Sequence, residues 1–506
     1  MKKNIIKSLY YSTWIAVVIF AILSVYGIFS MCSVPVHPNN TTEQYVLFPT
    51  VASLKYVFVV ITVILIATCL IVHNKLVRGE ILTKPLGLLL KEKLTPVNLF
   101  TILSLVITSL SLIFTVAHKE IIWDYFLPRI ESPQYDAFMD FFNHISYVRD
   151  PATVYYDMTH ACFPPLAYVF YYGLSILLPT DATAVHLAWN TQYYAQIVYI
   201  VYVVLCVLTL VFLMRAVLNH LKTSKFVTVS VCILVSNVFV FEVLERGNSV
   251  LIVAILLLLA LILKDSKNAF CRELALICIA VATGFKIYPA IFGILYLMEK
   301  RFWEALRLTV YGIVLFFAPF VSFGGVGGML QFLSNQMAVQ SLPYDSLYSV
   351  VSSVRYFAQK YTGDPLSYDK LAVVLQLLFI AVNFIAILNN KLRPWEKIMI
   401  LCAIIAFAPS WSGGYTSIFF VIPLVMLLAE NNSNKNEVSS MYKVYTMASV
   451  ICFALLFALN MFVLSSGFAL KTVSCLPMYA IDAFIIVRAA SCYIASIRRK
   501  IKKQAI

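Results

Sequence analysis

Charged residues are scarce in this sequence. Only 12% of its 506 residues are Asp, Glu, Lys or Arg, whereas 61% are hydrophobic. An average soluble domain carries about 25% charged residues. A soluble fold of this length could not cover so much apolar surface, because surface-to-volume scaling leaves part of it exposed. The scarcity therefore excludes a soluble globular protein and predicts a chain that lies in lipid.

Metal-binding patterns are also missing. The eleven cysteines are scattered, mostly within apolar runs, and form no CxxC or Cys/His spacing. No acidic cluster has an obvious metal spacing either. We therefore predict no metal site and no cofactor, with participation of a divalent ion left open.

Long apolar runs dominate what is present. A run of about 18 apolar residues is long enough to span a bilayer as a helix. The runs that approach or reach this length are Ser12–Ser30, Tyr56–Val72, Leu99–Val116, Ile197–Leu213, Val250–Leu263, Leu308–Phe323, Leu371–Leu388, Val444–Leu464 and Tyr479–Ile494. With shorter segments included, we predict an all-α polytopic transmembrane bundle of about 14 membrane segments. No small-residue cleavage site follows the first run, so we expect it to be a retained helix.

The net charge of +14 has two readings. A basic soluble protein would suggest nucleic acid, but in a membrane protein Lys and Arg mark the cytoplasmic side. The basic loops, including the tail Arg498–Lys503, can share one side only if the number of full crossings is even. We therefore expect both termini inside, two outer loops over residues 119–163 and 324–369, and no nucleic-acid partner.

Two places break the regular helical pattern. Leu166–Leu178 is about 13 residues long and is bounded by prolines on both sides, which favours a re-entrant or interfacial segment. Glu273–Leu297 is interrupted by Lys286 and Pro289, which predicts two short helices that meet inside the membrane. Broken helices at this depth normally line a cavity, because freed backbone groups need partners.

The first outer loop contains the segment Tyr135–Val148, with the sequence YDAFMDFFNHISYV. At helical spacing, Asp136, Asp140, Asn143 and His144 fall on one side, and apolar residues fill the other. This pattern predicts an amphipathic helix on the membrane surface. A plain solvated face and a functional cluster of two carboxylates and a histidine both fit it.

Charges within or beside apolar runs are costly and mark candidate functional sites. Arg246 and Asn248 lie in a polar knot, FEVLERGNSV, that a tight interhelical turn would also explain. Lys286 stands alone in ATGFKIYPAIFG, where it could snorkel, pair with a buried Glu, or present its charge to an anion such as phosphate. Trp411 lies in a small-residue turn, FAPSWSGGY, and a connecting loop with an interfacial anchor is the plainer explanation.

Several of these stretches occur in an order that resembles glycosyltransferase family 87, whose members are multi-spanning enzymes of the GT-C type. The stretches are Asp140-Phe141-Phe142-Asn143, Asp150-Pro151 with Tyr155-Tyr156, Phe163-Pro164-Pro165-Leu166, Arg246-Gly247-Asn248-Ser249, Lys286-Ile287-Tyr288-Pro289, Asn335 with Ser341, and Pro409-Ser410-Trp411. The chain departs from the pattern at Phe163, where a Tyr is usual, and in two extra helices before the loop.

The resemblance implies three regions and a reaction. Residues 1–97 would hold two helices and a basic loop, residues 98–430 the GT-C catalytic core, and residues 431–506 the last helices and basic tail. The donor would be a polyprenyl-phosphate sugar and the acceptor a glycolipid or glycan. The transfer would be inverting and extracytoplasmic, in a bacterial inner membrane, with mannose as the first candidate sugar.

The resemblance also implies roles for individual residues. An Asp in the first outer loop acts as general base, which we assign to Asp140 with Asp136 as the second candidate. The expected substrate-binding residues are Lys286, Arg246, Asn248, Tyr288, His144, His160 and Trp411, of which Lys286 and Arg246 suit the leaving phosphate.

Two other classes stay open. A transporter or flippase of lipid-linked sugar would suit broken helices around Lys286, but no inverted repeat is visible and it would not need an early acidic loop. A polysaccharide polymerase or ligase would also use lipid-linked sugars, with its charged loop expected later in the chain.

Overall fold

The structure is a computed structural model. It describes residues 95–117, 139–157, 161–178, 193–235, 243–244, 246–341, 348–410, 412–430, 440–459 and 476–504. Every regular element in these ranges is helical, which confirms the prediction of an all-helical chain for the described residues. The predicted runs Ser12–Ser30 and Tyr56–Val72 lie outside them.

Seventeen α-helices follow one another along the described ranges. They are α1 Pro96–Ala117, α2 Met139–Tyr147, α3 Val154–Asp157, α4 Pro165–Ser175, α5 Tyr193–Val217, α6 Thr223–Val235, α7 Val250–Leu263, α8 Ala269–Phe285, α9 Ile294–Met298, α10 Phe302–Phe317, α11 Gly325–Ser341, α12 Val350–Thr362, α13 Asp369–Ile387, α14 Pro394–Phe407, α15 Val421–Ala429, α16 Ser440–Leu459 and α17 Leu476–Gln504. Short 3₁₀ segments cover Tyr288–Gly293, Ala318–Ser322 and Gly414–Phe420.

Four of the described helical stretches are long and apolar enough to cross a membrane. They are Ile197–Val217, Phe302–Ser322, Asp369–Ile387 and Leu476–Ile497. Shorter apolar helices, among them Val250–Leu263 and Val444–Leu455, occur in the same ranges. These helices support an integral membrane protein, and the total of about 14 segments stays a prediction.

The chain divides into two compact units. The described part of one unit consists of α1 and α6 with their flanking residues, and these two helices pack against each other. The other unit holds the remaining helices. Within it α7 packs on α8, α8 packs on α10, and α17 contacts α13, α14 and α16.

The double proline begins α4, as expected for residues with a fixed φ at the start of a helix. Pro164 is the N-cap, and Pro165 is the first helical residue. Helix α4 packs on both α2 and α8. The approach to α8 is close, since a Cβ built on Gly284 would lie 2.5 Å from a side-chain carbon of Leu166.

The predicted interruption near Lys286 is confirmed as a helix break. Helix α8 ends at Phe285, and Lys286 itself is extended, with φ −146° and ψ 136°. The chain then continues as the 3₁₀ segment Tyr288–Gly293, with Pro289 in its first turn, and as α9. The break thus places Lys286 between α8 and the 3₁₀ segment.

The predicted second outer loop, residues 324–369, is largely helical in its described part. It contains α11 and α12, and Ser349 caps α12 through reciprocal hydrogen bonds with Ser352. Helix α12 ends at Thr362 and is followed by the C-cap Gly363, whose φ of +77° is the left-handed conformation that suits glycine at this position. Which side of the membrane this segment faces stays a prediction.

Candidate active site

A sharp turn precedes helix α7 and carries Arg246, Gly247 and Asn248. Gly247 has φ +66°, and a Cβ built on it would lie 2.6 Å from Cβ of Phe141 on α2. A side chain at this position would be strained in conformation and would also clash. Glycine therefore allows the turn to lie directly against α2, with the side chains on either side of it within reach of that helix.

The carboxylate of Asp140 on α2 accepts hydrogen bonds from both residues that flank Gly247, namely Arg246 and Asn248. Nη2 of Arg246 donates to Oδ1 of Asp140 at 2.7 Å, and Nε donates to Oδ2 at 3.1 Å. Nδ2 of Asn248 donates to Oδ2 at 2.7 Å. Two-point pairing between a guanidinium and a carboxylate is strong and directional. Only 17% of the Asp140 side chain is exposed, so the pair is largely shielded from water.

The orientation of the Asn248 amide follows from its second contact. The backbone N–H of Val250, at the start of α7, donates to Oδ1 of Asn248 at 3.0 Å. An N–H group requires an oxygen acceptor, so the amide nitrogen must face Asp140. Asn248 thus connects the beginning of α7 to the carboxylate.

These contacts decide the charge state of Asp140. Burial raises its pKa, but the charge and hydrogen bonds of Arg246, with smaller contributions from His144 and Asn248, outweigh burial and lower the pKa to about 2. Asp140 is therefore ionised throughout the physiological pH range.

His144 lies one turn after Asp140 on α2 and is packed between aromatic rings. Its imidazole stacks on Phe163, with centroids 3.8 Å apart, and on Tyr171 at 5.3 Å. Its Nδ1 is 3.2 Å from Oη of Tyr168. The apolar side of α2 is also buried in protein, where Phe141 and Phe142 have no exposed surface. The sequence predicted that the apolar side of α2 lies on the membrane surface, whereas in the structure it is packed against other protein side chains.

Lys286 reaches the same aromatic group. Its Nζ lies 3.2 Å from the centroid of the Phe163 ring, a cation–π contact. Phe163 therefore contacts both Lys286 and His144. Among the described residues Lys286 forms no ion pair with a carboxylate. The alternative of a buried Glu partner is thus not observed in that part of the chain.

Tyr288 follows the helix break, and its ring packs edge-on against Phe419, with centroids 5.7 Å apart. Its Oη is buried and has no hydrogen-bond partner among the described residues. A buried hydroxyl without a partner is costly, and such a group is a candidate for contact with a ligand or an ordered water.

Asn335 is part of the family resemblance, but the sequence pattern did not predict a role for it. Asn335 on α11 is 2% exposed, and its Nδ2 donates to the carbonyls of Tyr155 at 2.9 Å and Ala161 at 3.2 Å. Gln336 donates to the carbonyl of Cys162, and Oη of Tyr155 donates to the carbonyl of Phe163 at 2.9 Å. Side chains thus hold the backbone that leads to Phe163. The partners of Asn335 and Gln336 lie 174 to 180 residues away in the sequence, so no local pattern could have indicated them.

One protein family matches the chain. The family model described as glycosyltransferase family 87 matches residues 162–428, which is more than half of the chain. The chain belongs to glycosyltransferase family 87. No curated protein and no solved structure gave a match.

Membership in family 87 implies a glycosyltransferase and, together with the apolar helices, an integral membrane protein. The matched region contains Arg246, Asn248, Lys286 and Tyr288. It begins after Asp140 and His144, so the family match does not cover the proposed base.

The structure of this family 87 protein brings together five of the predicted site residues. Asp140, Arg246 and Asn248 are in direct contact, while His144 and Lys286 meet at Phe163. Tyr288 contacts Phe419 instead. Asp136, His160 and Trp411 lie outside the described residues. Within those residues no group of three or more His, Cys, Asp or Glu side chains could hold a metal ion.

Proposed function

We propose that this protein transfers a hexose, with mannose as the first candidate, from a polyprenyl-phosphate sugar to a hydroxyl of a glycolipid or polysaccharide. The transfer is inverting and takes place on the extracytoplasmic side of a bacterial inner membrane. One observation carries the proposal. Asp140, an ionised carboxylate, lies one helical turn from His144 on α2, and the ring of Phe163 contacts both His144 and the ammonium group of Lys286, which has no carboxylate partner in the described chain.

The bond changes of such a transfer need both charges. The acceptor oxygen attacks the anomeric carbon, the bond from that carbon to the phosphate oxygen breaks, and the acceptor proton passes to a carboxylate. The leaving polyprenyl phosphate gains negative charge, which a fixed cation in a shielded site stabilises. Asp140 is the proposed proton acceptor, and Lys286 is the proposed partner of the phosphate.

A carboxylate with a pKa of about 2 is a weak base. Brønsted behaviour favours a base whose pKa lies near the working pH. Glycosyl transfer passes through a transition state with oxocarbenium character, and the attacking hydroxyl becomes strongly acidic only as its bond to carbon forms. A weak base therefore suffices if it receives the proton late. Asp136 remains the second candidate.

Arg246 takes a different part from the one that the resemblance suggested. Two of its nitrogens bind Asp140, so its proposed role is to hold and orient the carboxylate. Lys286 is therefore the proposed phosphate-binding residue. A bound phosphate would replace the contact of Lys286 with Phe163 or would bind beside it. The buried hydroxyl of Tyr288 is the proposed partner for a further polar group of the substrate.

The deciding experiment uses the purified full chain in lipid with a panel of polyprenyl-phosphate sugars, and measures release of polyprenyl phosphate together with product formation. Transfer from at least one donor supports the proposal. Asp140→Asn and Asp136→Asn are compared in parallel, with folding verified by thermal melting. Full transfer by both folded variants contradicts an Asp base in this loop.

The helix break at Lys286 also favours a second function, the movement of lipid-linked sugar across the membrane. Vesicles with reconstituted protein and a lipid-linked sugar distinguish the two. A flippase changes the side on which the intact donor is found and releases no polyprenyl phosphate. Extension of the product into long chains would instead support a polymerase or ligase.

A further inference from the structure

A carboxyl group and an amide meet between two of the candidate membrane spans. Asp482 on α17 is 2% exposed and Asn383 on α13 is fully buried. Nδ2 of Asn383 donates to Oδ2 of Asp482 at 3.2 Å and to the carbonyl of Phe379 at 3.0 Å. Asp482 lies six residues after the start of the span Leu476–Ile497, and Asn383 lies four residues before the end of the span Asp369–Ile387. Both side chains thus lie one to two helical turns inside a candidate span, where an ionisable side chain is costly.

No cation balances this carboxyl group in the described part of the chain. On α17 itself, Arg488 lies six residues further on, about 9 Å along the axis, and its guanidinium pairs with Glu396 of α14. Tyr445 of α16 donates to the same Glu396 at 2.7 Å. Helix α13 contributes the neutral Asn383. Arg488 thus pairs with Glu396, and the contact that the described residues give Asp482 is the amide of Asn383.

Two oxygen atoms of the pair are buried without a hydrogen-bond partner among the described residues. They are Oδ1 of Asp482 and Oδ1 of Asn383. Both are acceptors when Asp482 is ionised, so they cannot bond to each other. A proton on Oδ1 of Asp482 makes that atom a donor, which can satisfy an acceptor such as Oδ1 of Asn383 beside the existing bond from Nδ2 to Oδ2.

The free-energy cost of burying a charge also favours a protonated Asp482. An ionised carboxylate that leaves water without a cation costs several kcal/mol or more, and such a group takes up a proton instead. We propose that Asp482 is a proton-binding site, occupied at neutral pH, and that the resulting carboxylic acid forms a cyclic pair with Asn383 that holds α17 against α13. Release of the proton leaves an unbalanced charge between the two helices and weakens their contact.

Infrared difference spectroscopy tests the protonation directly. The spectrum of the purified full chain in lipid at neutral pH is compared with that of Asp482→Asn, which keeps the shape of the side chain. We expect a carboxylic-acid C=O band that is present in the wild type, absent in the variant, and converted to carboxylate bands at alkaline pH. Carboxylate bands assigned to Asp482 at neutral pH would overturn the proposal.

Thermal melting tests the helix contact. Asp482→Asn retains an amide pair with Asn383, so its melting temperature should stay close to that of the wild type. Asp482→Leu and Asn383→Leu should each lower it by several degrees, or prevent folding. The wild type should lose stability towards alkaline pH, and Asp482→Asn should lose less.

The same experiments separate a proton from a metal cation. If sodium raises the melting temperature of the wild type but not of Asp482→Asn, and the carboxylic-acid band is absent, the site binds a cation and the proposal is wrong. Identical alkaline sensitivity in the wild type and Asp482→Asn would also count against it. Neither readout depends on glycosyl transfer, so the outcome is independent of the proposed function.

Discussion

Replacement of Arg246 by Gln should move the acid limb of the pH–rate profile. Arg246 is the main reason that the pKa of Asp140 lies near 2 instead of its ordinary value of 3.8, because burial by itself would raise that pKa. Without the guanidinium, burial dominates, and the pKa of Asp140 should rise above 3.8. The net lowering of the pKa from 3.8 to about 2 corresponds to roughly 2–3 kcal/mol in favour of the ionised carboxylate, and the contribution of Arg246 is larger than this because it also offsets burial.

The assay is kcat/KM for polyprenyl-phosphate release, measured from neutral pH into the acid range. The wild type should stay flat well below pH 5, because Asp140 remains ionised there. Arg246→Gln should lose activity about tenfold per pH unit below the raised pKa of Asp140. Its rate at neutral pH should also fall, since the carboxylate loses its orientation. The acid limb therefore reports the ionisation of Asp140, and the plateau rate reports how well its carboxylate is oriented.

Arg246→Lys is the matched control, because it keeps a positive charge but loses the two-point geometry. It should lower the plateau while shifting the acid limb less than Arg246→Gln does. Coincident acid limbs in the wild type and a folded, active Arg246→Gln would refute the reasoning, since Asp140 would then not be the group whose ionisation the reaction requires.

The same pKa predicts how acid affects stability. The folded-state pKa of Asp140 lies below its unfolded value, so the ionised group stabilises the fold above that unfolded value. This contribution is lost as the pH falls from about 4 through about 2. The acid-induced drop in melting temperature over this window should be smaller in Arg246→Gln, and an unchanged drop would contradict the assignment.

Three further substitutions test the rest of the site. Phe163→Leu removes the ring under Lys286 and should raise KM for the donor more than it lowers kcat, whereas an unchanged KM would argue against a phosphate site there. Gly247→Ala should reduce transfer at least tenfold and destabilise the fold by about 1–2 kcal/mol through its positive φ. The control Gly173→Ala has open space around its Cβ in helix α4, so it should leave the rate unchanged and should not lower the melting temperature, because alanine favours a helix over glycine. Asn335→Asp keeps the shape of the side chain but places a carboxylate against two carbonyls, so we expect a higher KM for the donor. A folded variant with the same donor kinetics as the wild type would show that this residue does not position the site.

Local patterns predicted the irregular points of the fold well. Pro164-Pro165 restricts φ whatever surrounds it, and the helix it begins was expected. The break at Lys286 was also expected, because Pro289 lacks an N–H and a lone charge interrupts the apolar run. Such features depend on a few residues that are adjacent in the sequence, so they can be predicted from it.

The partners of those features could not be predicted. Asp140 and Arg246 are 106 residues apart, and nothing in either stretch specifies the other. His144 has helical spacing from Asp140, which suggested an exposed polar face, but the aromatic side chains that bury it come from other segments. The Asn335 contacts with the Tyr155 and Ala161 carbonyls likewise join distant elements.

The scarcity of charge determined by itself that this chain belongs in a membrane, because lipid is the only solvent that accepts so much apolar surface. Order and spacing of short polar stretches were enough to indicate the family. Tertiary structure alone decided the state of each scarce charge. It gave Asp140 the guanidinium of Arg246, gave Lys286 an aromatic ring, and gave Asp482 an amide as its hydrogen-bond partner within the described ranges. The reason is physical: the energy of a buried charge depends on atoms within a few ångströms, and in a helical bundle those atoms come from distant parts of the chain.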